Sequence, residues 1–218
     1  GGWGLLLLSL QRWFSNSGSD RSRPVKQQQL NKVHRPVAVH PAHLLVGHNL
    51  DCLWIKLKPL SKAMNDQPVI DAYHHTDLRK TRAAFNAVIP VETGLAQGVE
   101  RFLPHLGEKI QARALRVPTL NVSSLDVVLA VDTATSAADV NRIIKEASQS
   151  FSGVLSVNEE PLASCDFLGM DASCVVDITQ TQVSGGQLIK LMLWFDNEWA
   201  FTNRMVDIAI AMSKFSDD

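Results

Sequence analysis

The sequence predicts an α+β fold, a largely antiparallel sheet with helices packed on one face. Three observations carry that prediction. Strand-like apolar runs after Val69 outnumber helix-like ones, and short turns join some of them. No G-x-G-x-x-G turn follows a strand, so no Rossmann-type dinucleotide-binding unit is read in this chain.

The elements follow in order. Val91 to Leu106 carries Val99, Phe102, Leu103 and Leu106 at helical spacing. Gln111 to Val117, Leu125 to Val131 and Val154 to Val157 are rich in apolar and β-branched residues and read as strands. Ser136 with Asp139 three residues on is a variant capping box that starts a helix. Val140, Ile143, Ile144 and Ala147 then give that helix one apolar stripe. Cys174 to Val183 and Leu188 to Phe195 flank Ser184-Gly185-Gly186, a hairpin turn. Met205, Val206, Ile208, Ala209 and Met212 mark a closing amphipathic helix.

Upstream the texture differs. Residues 1–62 carry a balance of +7 and residues 63–218 one of -8, which leaves the chain at -1. Pro24, Pro36, Pro41 and Pro59 break any helix there, and only His48 to Leu57 alternates as a strand would. The reading is an unmatched, basic, poorly ordered segment over 1–62 and a folded domain over 63–218. An acid-poor transit peptide is the weaker alternative, and the initial Gly in place of Met reads as a fragment. The small net charge argues against a nucleic acid or membrane partner. No apolar run approaches the roughly 18 residues of a membrane span. Cys52, Cys165 and Cys174 lack C-x-x-C spacing, so neither a zinc site nor a disulfide framework is indicated, and a reducing cytoplasm fits.

Asp77-Leu78-Arg79-Lys80-Thr81-Arg82-Ala83-Ala84 and then Ile89-Pro90-Val91-Glu92-Thr93-Gly94 set basic side chains near a Thr-Gly pair that leads into a helix. Such groups hold a phosphate, although a solvated basic face accounts for them equally well. With Arg116-Val117-Pro118-Thr119-Leu120-Asn121-Val122-Ser123 and Trp194-Phe195-Asp196-Asn197-Glu198-Trp199, these segments in this order and spacing resemble the glyceraldehyde-3-phosphate dehydrogenase family. Ala63 to His74 and Thr179 to Gly185 resemble its erythrose-4-phosphate dehydrogenase branch more closely. The resemblance covers about 63–218.

It implies an NAD-dependent oxidation of erythrose 4-phosphate to 4-phosphoerythronate, in a homo-oligomer, a tetramer, built through the sheet. Thr93 and Gly94 match the family's pair for inorganic phosphate or its counterpart, assisted by Lys80 where the family usually has Arg. A Lys keeps the charge but lacks the bidentate fork. Arg116 matches the arginine on the substrate phosphate, and Asn197 the asparagine that fixes the nicotinamide carboxamide. Met64 stands where the triose enzymes have a phosphate-binding Thr, and Phe201 where a Tyr is common. Blander readings stand beside these: Arg116 as a strand-end salt bridge, Asn197 as a turn residue, Thr93-Gly94 as a helix cap, and Trp194 and Trp199 as packing.

No catalytic residue is assigned. The family's Ser-Cys-Thr-Thr-Asn nucleophile motif is absent, and the position of its activating histidine is held by Ser61. The chain as it stands is therefore expected not to turn over by itself. A three-carbon aldose phosphate and a non-catalytic assembly module are the competing readings. A shifted reading frame or recombination scar upstream of Ala63 is one account of the abrupt change there, beside an incomplete sequence or a genuine variant. It predicts that another forward frame of the coding DNA encodes Ser-Cys-Thr-Thr-Asn and a histidine at position 61; resequencing that stretch checks it, and three frames without them exclude a shifted frame.

Overall fold

The computed structural model describes residues 52–62, 64 and 66–213. The readings placed on residues 1–51 lie outside the described residues. The strands are β1 (Cys52–Ser61), β2 (Ile89–Val91), β3 (Ile110–Ala112), β4 (Ala114–Arg116), β5 (Ser123–Val131), β6 (Leu155–Asn158), β7 (Cys174–Ser184) and β8 (Leu188–Phe195). The α-helices among the described residues are α1 (Leu95–Phe102), α2 (Ala137–Ser150) and α3 (Asn197–Ser213). One sheet runs β2-β4-β1-β5-β8-β7-β6, with β3 also paired to β1. Its long ladders, β1 with β5, β5 with β8 and β7 with β8, are antiparallel. Parallel pairing is confined to β1 with β3 and β4, and to β6 with β7. The α+β expectation is met.

The domain does not open at Ala63. Residues 52–61, placed by the sequence reading in a poorly ordered segment, form a strand between β4 and β5. Ile55 and Leu57 alternate with Lys56 and Lys58, so one face of β1 is apolar and the other charged. The apolar side chains line up in rows across three strands: Ile55 with Leu129 and Ile189, Leu57 with Val127 and Leu191. All six are shut off from solvent. The apolar stripe of α2 (Val140, Ile143, Ile144 and Ala147) closes over this face, joined by Val99 of α1.

Local chemistry starts and ends the elements. Ser136 Oγ accepts from the Asp139 amide at 3.1 Å, which satisfies one of α2's unpaired first-turn amides. Gly185 and Gly186, at φ 59° and 72°, make the reversal between β7 and β8 that a side chain would strain. The helix expected over Val91 to Leu106 is shorter: α1 ends at Phe102, and Pro104–Leu106 continue as a 3-10 turn. The strand expected over Gln111 to Val117 is split into β3 and β4.

The opposite face of the sheet is more open. Near the end of β8, Trp194 stacks on Phe167 at 5.2 Å and packs with Val122, Ala172 and Val175. Farther along, Lys56 and Lys190 share one row across Val128, and Lys58 pairs with Asp126 on the next. Lys190 Nζ lies 3.9 Å from the Asp126 carboxylate. α3 runs off the end of β8. Ala200 and Arg204 are its covered residues, while Met205, Val206, Ile210 and Met212 stand exposed.

A chain beginning at Ala63 lacks β1 and is expected to show no cooperative unfolding. Leu57→Ala in the full chain is expected to cost about 2–5 kcal/mol through the cavity it leaves. Urea unfolding followed by circular dichroism checks both.

Candidate functional site

β1 ends beside the end of β4 and the start of β5, and this places the sequence-predicted residues. Ser61 is level with Arg116, Leu60 with Ser124, and Ser123 with Phe195. Arg116, Ser61, Lys62, Ser123 and Asn197 therefore border one end of the sheet. The amide of Lys62 and Asn197 Nδ2 both donate to the Oγ of Ser123, at 3.4 and 3.3 Å. Ser123 itself is fully buried. Lys62 Nζ reaches Glu198 Oε2 at 2.5 Å and straps the end of β1 to the first turn of α3.

Asn197 is held by its neighbour. Asp196 Oδ1 accepts from the Trp199 amide at 3.2 Å, the bond of a helix N-cap. Its Oδ2 accepts from Asn121 Nδ2 at 3.1 Å and the Gly169 amide at 3.0 Å. Burial raises the Asp196 carboxyl, but the Gly169, Trp199 and Asn121 donors and the Lys62 charge outweigh it and hold the group below the usual carboxylate range. Asp196 is thus an anchoring carboxylate that orients the start of α3.

Arg116 is 13% exposed and is held at both terminal nitrogens. Nη1 donates to Gln67 Oε1 at 2.8 Å, and Nη2 lies 2.8 and 3.0 Å from the two Asp66 oxygens. Gln67 is buried, and its Nε2 donates to the carbonyls of Arg79 and Arg82 at 3.1 and 2.5 Å. Arg79 lies within the 3-10 turn Leu78–Thr81 and Arg82 caps its end, so Gln67 couples the turn that carries Lys80 to Arg116. Lys80 itself is exposed.

Thr93 and Gly94 lie where β2 leaves the sheet. Gly94 is the N-cap of α1 and Thr93 Oγ1 accepts from the Leu95 amide at 3.2 Å. Among the described residues no hydrogen bond joins this pair to Arg116 or Lys80. The sheet thus gathers Arg116 and Asn197 at one end, Gln67 links Lys80 to them, and Thr93-Gly94 caps a helix. Asp66, Gln67, Ser123 and Asp196 had no assigned role in the sequence reading. Only Asp196 had a visible signal, an acidic residue directly before a helix.

One thiol, Cys174, begins a strand at this same end of the sheet, next to Val175, which is level with Trp194. Cys52 is buried at the start of β1, about 30 Å from Ser61 at ~3.3 Å per strand residue. Cys165 is exposed on the 3-10 turn Ser164–Phe167. Cys174 opens β7, where burial pushes its thiol up to about 12, far from a thiolate at neutral pH. Ser61 is buried and donates to the Leu115 carbonyl at 3.4 Å.

A carboxyl held down in the fold stabilises it above its unfolded value and loses that contribution as pH falls through the folded one. Asp196→Asn is therefore expected to destabilise the protein at pH 7 by about 1–3 kcal/mol, the cost of an impaired buried hydrogen-bond network. The gap to the unsubstituted chain should narrow below about pH 4, near the ordinary aspartate value. Urea midpoints at pH 7 and pH 3 measure it, and a gap that does not narrow rules out the charged carboxylate as its source.

The end of the sheet so assembled coincides with the part of the chain that has known counterparts. Residues 54–197, from within β1 to the start of α3, match the family described as glyceraldehyde 3-phosphate dehydrogenase, C-terminal domain. The match opens inside β1, upstream of the boundary expected at Ala63, in agreement with the place of that strand in the sheet. The chain belongs to the glyceraldehyde 3-phosphate dehydrogenase family, through its C-terminal domain.

Proposed function

We propose that this chain supplies the aldose-phosphate-holding domain of an NAD-dependent aldehyde dehydrogenase, acting on erythrose 4-phosphate, and that it does not turn over by itself. The observation that carries this reading is the convergence of Arg116 and Asn197 on one end of the sheet, on either side of Ser61 and Ser123. Arg116 is the substrate-phosphate group. Its planar guanidinium suits phosphate oxygens, and Gln67 holds it in place. Lys80 and the Thr93-Gly94 cap add a second charge and a set of helix-start amides for a further anion.

The family generally binds NAD. Of the groups a nicotinamide needs, the described residues offer the Asn197 amide, and no glycine-rich turn for the pyrophosphate is present in the sequence. This domain therefore contributes one contact to the cofactor and does not hold it. We infer lack of turnover from two features: a serine hydroxyl at position 61 is no base at neutral pH, and burial keeps the Cys174 thiol at this end of the sheet protonated. The four-carbon substrate rests on the resemblance of Ala63 to His74, Met64 included, to the erythrose-4-phosphate branch. A homo-oligomer through the sheet and a cytoplasmic setting complete the proposal.

Erythrose 4-phosphate should bind the full chain more tightly than glyceraldehyde 3-phosphate or unphosphorylated erythrose, and Arg116→Met should weaken it about ten-fold or more. Ligand-observed NMR titrations measure this. With NAD and either phosphate, no NADH should form above the protein-free rate. Turnover would overturn the inactivity, and phosphate-independent binding would overturn the role of Arg116.

A further inference from the structure

The guanidinium assigned to the substrate phosphate already holds an anion from its own chain. Both oxygens of Asp66 converge on Arg116 Nη2, at 2.8 and 3.0 Å, while Gln67 takes Nη1. The two partners differ in character. Gln67 is buried, neutral and tied to two backbone carbonyls, so it stays in place whatever Arg116 binds. The Asp66 side chain is 58% exposed and belongs to the connection after β1 rather than to a strand. Among the described residues it pairs with Arg116.

We propose that Asp66 is a built-in competitor for the anion at Arg116, a carboxylate that an incoming phosphate must displace. The inference rests on the reading of Arg116 as the phosphate group and deepens it. On its Asp66 side the pair is open to solvent, which screens it and lets the carboxylate leave at less cost than from a fully buried pair. A phosphate dianion, with more charge and three acceptor oxygens, can displace the carboxylate. A neutral sugar gains nothing by doing so. Asp66 thereby sets a threshold that favours dianionic ligands, and it keeps Arg116 paired when no ligand is bound, as a 13%-exposed cation requires. Gln67 is the complementary positioning residue, which retains the guanidinium after Asp66 swings out.

The test is a calorimetric titration of the full chain with inorganic phosphate, using the unsubstituted protein, Asp66→Asn, Asp66→Glu and Arg116→Met. Asp66→Asn should bind about five-fold more tightly or better, the scale of a solvent-screened ion pair removed from competition. Asp66→Glu keeps the charge and should bind as weakly as the unsubstituted chain, and Arg116→Met should not bind. If phosphate needs Arg116 but Asp66→Asn binds no better, Asp66 merely orients the arginine; the proposal then fails while the reading of Arg116 stands. Equal binding by all four proteins, or by none, overturns both.

Discussion

The fold depends on the two-sided pairing of β1. On one edge it meets β5 in an antiparallel ladder, and on the other it meets β3 and β4 in parallel. β2, β3 and β4 reach the rest of the sheet through this strand. Its inward residues also complete the apolar rows that α2 closes. The same strand sets Ser61 level with Arg116 and brings Lys62 to the Ser123 hydroxyl that Asn197 also bonds. Core and site therefore have a common origin. A change that loosens β1 from β5 costs burial and also uncouples the arginine from the asparagine.

How far the sequence could be read follows from the range of each interaction. The capping box at Ser136, the stripe of α2 and the Ser184-Gly185-Gly186 turn are local signals, and each stands where the spacing placed it. β1 was hidden by local signals that point the other way. Lys56 and Lys58 give it the basic texture of the upstream segment, and Pro59 lacks the amide a central strand uses. What outweighs them is tertiary: Ile55 and Leu57 meet the fully buried Leu129 and Val127 on β5 and the half-buried Ile110 and Ala112 on β3. The alternation from Ile55 to Lys58 was legible, but the company it keeps was not.

The site divides the same way. Motif order pointed to Arg116 and Asn197, which the sheet brings to one end although they are far apart in sequence. The groups that make them usable are polar contacts spanning long loops. Asp66 and Gln67 act on Arg116 across about fifty residues, and Ser123 joins Lys62 to Asn197. No periodicity records such contacts, because each depends on one side chain meeting one other. Thr93-Gly94 shows the converse. A helix-start pair is legible locally, and the bond it makes is the local one, from Leu95 to Thr93.

The open face of the sheet limits how two copies can meet. Lys56 and Lys190 stand on one row about 10 Å apart, two strand spacings of ~4.8 Å, and Lys58 lies next to Asp126 on the adjoining row. Two such faces laid directly over each other would set ammonium against ammonium across a dry gap. A slide of one row, or a steep crossing angle, instead brings each copy's Asp126 over the other's lysines. On this face charge, more than apolar area, would therefore choose the stagger between two copies.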